Sequence, residues 1–360
     1  MIRHLLSLED NFKFASYLCT IEGSIGSHMI VVTGATGRYG SAIVRTLRKF
    51  DLPVRTLVRK GSHYYWLNDT GCGYFFGDLR DPLSLKRCLR DATHLVACTN
   101  IRRETNANNH KDVTIGGHEQ LFAAARDAQI ERTVLVSCLA SDSDAPAFNA
   151  RKAAEQALID SGIEHTILRA CLHEHFFLEL AWHIHDHGSV LLPAHGNNVL
   201  PVLPTVDLAQ MAAASLDLGS VRNQTIDVGG HQHLTFREAL KMACDVVGVE
   251  PSIRTLPSPA SAIASRIGKP FRRFSNQIAE QKVWCSEDFQ VDAAALTDRF
   301  GFPLSDLQSA MVETNAFLAD VRDPERREQR MVHPQFYATV YEPGTADLNL
   351  LPDGPPPRRD

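Results

Sequence analysis

The stretch "VTGATGRYG", residues 32–40, places Gly34, Gly37 and Gly40 directly after a β-branched run, "MIVV". It opens a segment, "GSAIVRTLRKF", whose apolar residues recur at helical spacing. Glycine at three-residue intervals between a strand and a helix has a physical reason in each position. One permits a left-handed turn, one lets the backbone approach a bulky anion, and one lets helix and sheet pack closely. The helix N-terminus then directs backbone N–H groups at negative charge. The pattern predicts a pyrophosphate cradle in which Gly34, Thr36, Gly37, Arg38, Tyr39 and Gly40 surround a dinucleotide.

Outward from this turn, strand and helix patterns alternate as far as "EHTILRA" at residue 170. Parallel neighbours need crossover connections, so strict alternation predicts an α/β fold: a Rossmann-type doubly wound parallel sheet. After residue 170 the rhythm turns mostly helical, which predicts a smaller C-terminal substrate lobe. The expected division is a nucleotide-binding core over 29–170 and a lobe over 171–322. A strand near 224–229 returns to the sheet and interleaves the two. Residues 323–360, rich in proline and charge, read as an extended or disordered tail. "GSHM", residues 26–29, resembles the remnant of a cloning site. Residues 1–28 are therefore expected to be an expression leader or a native disordered extension, and "LEDN" within them argues against a signal peptide.

The net charge of -5 and interspersed charges exclude a nucleic-acid footprint, and no apolar run is long enough for a membrane span. Eight cysteines without a Cys-x-x-Cys pair offer neither a zinc site nor a disulfide framework, which predicts a reducing, cytoplasmic setting. No metal is expected. "HIHDH", residues 183–187, reads as a polar helix end.

The second strand ends "TLVRK", residues 56–60, with Arg59 and Lys60 where a carboxylate would hold the ribose hydroxyls of NAD. A guanidinium suits a 2′-phosphate, so NADP(H) is expected over NAD(H), with Arg38 as a second positive charge. Asp78 and Leu79, in "GDL", are expected at the adenine, and Thr99, after the "HLVAC" strand, along the cofactor.

"VTGATGRYG", "TLVRK", "GDLRDP" and "SGIEHTILRA", followed by "LLPAHGNN" and "NQTIDVGGHQHLTFREAL", occur in the order found in one family. On these motifs the chain resembles the atypical short-chain dehydrogenase/reductases, in their NmrA-like and isoflavone-reductase-like branches, over roughly residues 29–320. The resemblance implies NAD(P) binding without naming a reaction, because the family holds both reductases and cofactor-sensing regulators. Two departures stand out: Ala170 replaces the usual proline of "ILRP", and "CLHEHFF" replaces a glycine- and aromatic-rich segment that lines the pocket.

Typical members carry a serine, a proton-donating tyrosine and, four residues on, a lysine. Ser137, closing "TVLVS", fits the serine. "FNARK", residues 148–152, offers Phe148 and Lys152, or, shifted by one, Ala147 and Arg151. Neither register restores the tyrosine. Isoflavone-reductase-like enzymes are thought to use a lysine on this helix, so Lys152 is the expected catalytic and cofactor contact. His173, at the start of the pocket segment, is the alternative acid, and on a helix it could not share a face with His175. Two functions remain open: an NADPH-dependent reductase of a small carbonyl or conjugated substrate, or a non-catalytic NADP(H)-binding regulator with a protein partner.

Overall fold

The computed structural model describes residues 28–62, 67, 70–101, 104–106, 108–139, 143–256 and 272–322. The expectations for residues 1–27 and 323–360 lie outside them.

Seven parallel strands form the central sheet: β1 (Met29–Thr33), β2 (Val54–Val58), β3 (Gly73–Phe76), β4 (Ala92–Ala97), β5 (Arg132–Cys138), β6 (His165–Ala170) and β9 (Gln224–Val228). Their order is β3-β2-β1-β4-β5-β6-β9, so the sheet is the Rossmann-type one expected. Chain order reverses between β1 and β4, which opens a crevice at their carboxyl ends. The register pairs Ile30 with Val54 on one side and with His94 on the other.

Successive side chains of a strand point to opposite faces, and both faces here are buried. Val32, Val96, Val134 and Leu168 belong to one apolar cluster, shared with the C-terminal region. Val31, Leu95, Leu135 and Ile167 belong to the other. That second layer is closed by Leu121 and Phe122 of α3 (Gly116–Asp127) and by Leu158 of α4 (Pro146–Ser161). Helix α3 is preceded by a π-helical turn, His110–Ile115, that hydropathy did not indicate.

Beyond β6 the chain is mainly helical. Helix α5 (Glu174–His187) packs on α7 (Phe236–Val247), with Phe177 and Phe236 rings 5.0 Å apart. Helix α10 (Leu307–Arg322) lies against both. Thr235 and Glu238 close a capping box at the start of α7, as their spacing predicted. Helix α6 (Thr205–Ala214) packs on α1 (Arg38–Lys49), which carries the glycine turn, and so couples the C-terminal region to it. Helix α8 (Arg272–Trp284) lies on α4.

Candidate active site

The glycine turn has the strain that its sequence implied. Gly34 has a φ of +68°, and a Cβ there would sit 2.4 Å from the Cys98 carbonyl oxygen. A Cβ on Gly40 would lie 2.3 Å from the Gly34 carbonyl oxygen, so β1 and α1 can meet only through glycine. Gly37 donates its N–H to Gly34 O at 2.9 Å and precedes α1 without a side-chain cap. With no acidic residue in its first turn, the positive end of α1 is suited to an external anion. Thr36 is half-buried beside it, and Thr99 donates its hydroxyl to Thr33 at 3.1 Å from the neighbouring strand end.

Around the end of β2, Arg59 and Lys60 are exposed, and Arg59 donates to Asn108 Oδ1 at 2.6 Å. The Asp78 carboxylate accepts two hydrogen bonds from the Arg80 guanidinium, at 2.8 and 2.7 Å, which hold it below the usual carboxylate range. Leu79 is buried against Gly117. Arg38 departs from expectation. It is ion-paired with Glu179 of α5, so the second positive charge expected beside Arg59 instead bridges the glycine turn to the C-terminal region.

On helix α4 the two registers left open by the sequence differ in burial. Residues four apart share a helix face, and Ala147, Arg151 and Glu155 form that stripe. Ala147 and Glu155 are buried and Arg151 is largely so, whereas Lys152 is exposed. Arg151, not Lys152, is therefore the cation that enters the cleft. The correction has a simple cause: one residue along a helix turns the side chain through about 100°. Phe148 is buried against Trp284 of α8, with ring centroids 5.6 Å apart.

Ser137 also departs from expectation. Its hydroxyl donates to Glu155 Oε1 at 2.5 Å, and the same carboxylate receives Arg169 at 3.0 and 2.6 Å. The serine is thus tied into a buried ion pair rather than offered to an incoming substrate.

Arg151 lies among Tyr39, Cys98, Cys138 and Glu280. Burial works against its charge, but Cys138, Glu280, Tyr39 and Cys98 outweigh it and push its pKa up. Its Nη2 is 3.6 Å from Glu280 Oε1, and its buried Nε has no hydrogen-bond partner among the described residues. An unsatisfied buried guanidinium N–H beside the glycine cradle is a place for an oxygen of a bound molecule. Together with the steric demand for glycine at 34 and 40, it fits a bound dinucleotide.

His173 stands just outside α5, with extended backbone (φ -108°, ψ 163°), so the helical argument separating it from His175 does not apply. The two rings are 5.8 Å apart, and His173 lies 4.6 Å from the Tyr39 ring. Burial pushes the His173 pKa down to about 4, which leaves it neutral near pH 7 and a poor acid. Tyr39 donates its hydroxyl to Cys171 O at 2.8 Å, and burial raises its pKa well above the ordinary value. The neighbouring Glu174 is a buried anchor: it accepts from Thr205 N–H at 2.8 Å and from the Thr314 hydroxyl at 3.1 Å. At the far end of α5, His183 and His187 stack at 4.3 Å, and Asp186 meets His185 and Arg322.

Sequence reasoning missed Glu155, Glu179 and Glu280. The four-residue spacing of Ala147, Arg151 and Glu155 could have found the first. The other two come from distant segments and carry no local signal.

A family model described as NAD(P)H-binding matches residues 34–172. The chain is 26% identical over 231 residues to the photosystem II assembly factor Ycf39 of Cyanophora paradoxa, covering 63% of this chain and 71% of that one. It is 27% identical over 212 residues to an NAD(P)H azoreductase of Xenophilus azovorans, covering 58% and 71%. Among solved structures it resembles an NADPH-dependent quinone oxidoreductase of Escherichia coli in complex with NADPH. The TM-score is 0.61 at 21% identity, covering 81% of this chain and all of that one. The fold and the glycine turn thus define an NAD(P)H-binding Rossmann protein. More closely, its motifs resemble those of the atypical short-chain dehydrogenase/reductases, with the NAD(P)H-binding match spanning residues 34–172. Among the described residues, no helix is long and apolar enough to cross a membrane.

Proposed function

We propose that the protein is an NADPH-dependent reductase that passes hydride to a conjugated, electron-poor carbonyl compound, of which a quinone is the simplest case. Arg151 is the observation that carries this reading. A guanidinium keeps its charge and makes a poor proton donor, so it does not replace the missing tyrosine as an acid. It can stabilise an oxyanion in a partly dry cleft, which is a large effect when the donor is already in place. An acceptor whose reduced form is a delocalised oxyanion suits such a group better than an isolated ketone does.

When bound, the cofactor supplies the hydride. Gly34, Thr36, Gly37, Tyr39, Gly40 and Thr99 would hold its pyrophosphate and nicotinamide half. Arg59 and Lys60 would hold a 2′-phosphate, which supports NADP(H) over NAD(H), with Leu79 and Asp78 near the adenine. Asp78 would have to share its carboxylate with Arg80. Arg151 would face the reacting oxygen, and His173 and Tyr39 would form the wall. Lys152 and Ser137 have supporting rather than catalytic places in this reading. The seven described cysteines are free and buried, which fits a reducing cytoplasmic setting.

One observation favours a second reading, a non-catalytic NADP(H)-binding factor with a protein partner. Helix α8 already engages the cleft through Glu280 and Trp284, and one relative is named as an assembly factor. Following NADPH absorbance with quinones, enones and unconjugated ketones separates the two. Turnover confined to the conjugated compounds supports the reductase; tight NADPH binding with no turnover across the panel overturns it.

A further inference from the structure

We propose that Glu280, on α8, is the proton donor of this reductase, delivering its carboxyl proton to the oxyanion that hydride transfer leaves on the acceptor. The proposal rests on the reductase reading and adds the acid that Phe148, Arg151 and Ser137 do not supply.

Three residues spaced by four, Asn276, Glu280 and Trp284, form one stripe of α8, and each reaches a group at the cleft. Asn276 donates to Glu104 Oε2 at 2.9 Å, Glu280 faces Arg151 at 3.6 Å, and Trp284 packs on Phe148 at 5.6 Å. The outer two contacts hold the middle one over the stripe of α4 where a tyrosine and lysine would otherwise stand. The flanking acid, Glu104, is committed elsewhere: its second oxygen accepts the His110 backbone N–H at 3.1 Å. Glu280 is mostly buried, and among the described residues it has no hydrogen bond to a backbone group that would fix it as a structural anion.

The groups facing Glu280 are Arg151 from α4, Glu104 from the segment after β4 and Cys138 from β5. Tyr39 of α1 lies beyond Arg151, and His110 beside Glu104. Burial and the like charge of Glu104 favour the protonated carboxyl, and Arg151 opposes them; the net effect raises the pKa. A carboxyl whose surroundings favour its protonated form is suited to act as a general acid.

In the step itself, the bound cofactor would supply a hydride, a hydrogen that carries the electron pair of its former C–H bond into a new bond with the acceptor. The acceptor's conjugated π electrons move onto its carbonyl oxygen beside Arg151. That oxygen takes the proton of Glu280, whose O–H bond breaks, leaving a carboxylate paired with Arg151. NADPH is oxidised by two electrons, the acceptor is reduced by two, and water later returns a proton to Glu280.

The test compares wild type, Glu280→Gln and Glu280→Asp with NADPH and a benzoquinone, measuring kcat against pH and the NADPH Kd by fluorescence. Glu280→Gln is expected to lower kcat by roughly 100-fold or more and to abolish the fall of kcat on the alkaline side, with the NADPH Kd unchanged within about threefold. Glu280→Asp is expected to keep that alkaline limb, shifted in position. An active Glu280→Gln protein with the wild-type pH profile overturns the role of Glu280 and leaves the reductase reading standing. If Glu280→Gln fails to bind NADPH, the Glu280→Asp profile decides, and an unshifted limb overturns the proposal. A wild-type protein inert to every quinone overturns the reductase reading, and this proposal with it.

Discussion

Asp207→Asn should make the protein more stable at neutral pH, by an amount that depends on pH. Asp207 lies in the first turn of α6, fully buried, and accepts the Ser305 backbone N–H at 2.9 Å and its hydroxyl at 2.5 Å. Burial raises its pKa most; Ser305 lowers it, and the nearby Glu174 raises it again, to about 7 from an ordinary 3.8. Because the folded pKa is the higher one, folding favours the protonated acid. Its stabilising contribution is complete below the unfolded pKa and is lost as pH rises through about 7. A shift of roughly three units at about 1.36 kcal/mol each sets an upper limit of about 4 kcal/mol. Asparagine mimics the neutral acid and keeps an acceptor for the Ser305 N–H. The two proteins should therefore match near pH 4, and the variant should gain steadily to a plateau above about pH 7. Urea unfolding across that range gives the difference directly. Comparing the two proteins cancels His94, His118 and His173, which burial holds at about 4 and which act in the opposite sense. A difference that stays flat within about 0.5 kcal/mol from acid to neutral pH would refute the assignment of a strained buried acid.

Two further substitutions probe the cofactor site. Gly40→Ala forces a methyl group to 2.3 Å from the Gly34 carbonyl, so it should weaken NADPH binding at least about tenfold, read by fluorescence titration, and cost roughly 1–3 kcal/mol of stability. Replacing Arg59 and Lys60 together with alanine should raise the NADPH Kd about tenfold or more and leave the NADH Kd nearly unchanged. Equal losses for both cofactors would place the 2′-phosphate elsewhere. Arg132→Leu strands buried carbonyls and an acid: Arg132 donates to Ser215 O at 3.0 Å, to Glu164 at 2.8 Å and to Leu218 O at 3.3 Å. It should cost about 3 kcal/mol or more in urea unfolding, with no change in cofactor preference.

The parts of the molecule legible in the sequence are those set by local geometry. The demand for glycine at 34 and 40 is local: a positive φ at Gly34 and a 2.3–2.4 Å clash at both positions admit no other residue. The alternation of apolar strands and helices is likewise local, and it dictates the parallel sheet. Partners are a different matter. Arg38 announced a positive charge, but Glu179 reaches it from another segment. "FNARK" could be read in two registers because nothing local distinguishes a face occupied by Arg151 from one occupied by Lys152; tertiary packing decides. His173 lies one residue before its helix begins, in extended backbone that brings its ring beside His175. Glu280 carried no signal at all, since its meaning comes from Arg151, which it meets only in the folded chain.

Hydride transfer from the bound cofactor to a conjugated acceptor beside Arg151 can be followed in a single turnover. Protein loaded with one equivalent of NADPH is mixed rapidly with excess benzoquinone while NADPH absorbance and hydroquinone are both followed. NADPH should disappear as an equal amount of hydroquinone forms, and Arg151→Gln should slow this step by roughly 100-fold. Bound NADPH that persists in the presence of quinone would rule this transfer out.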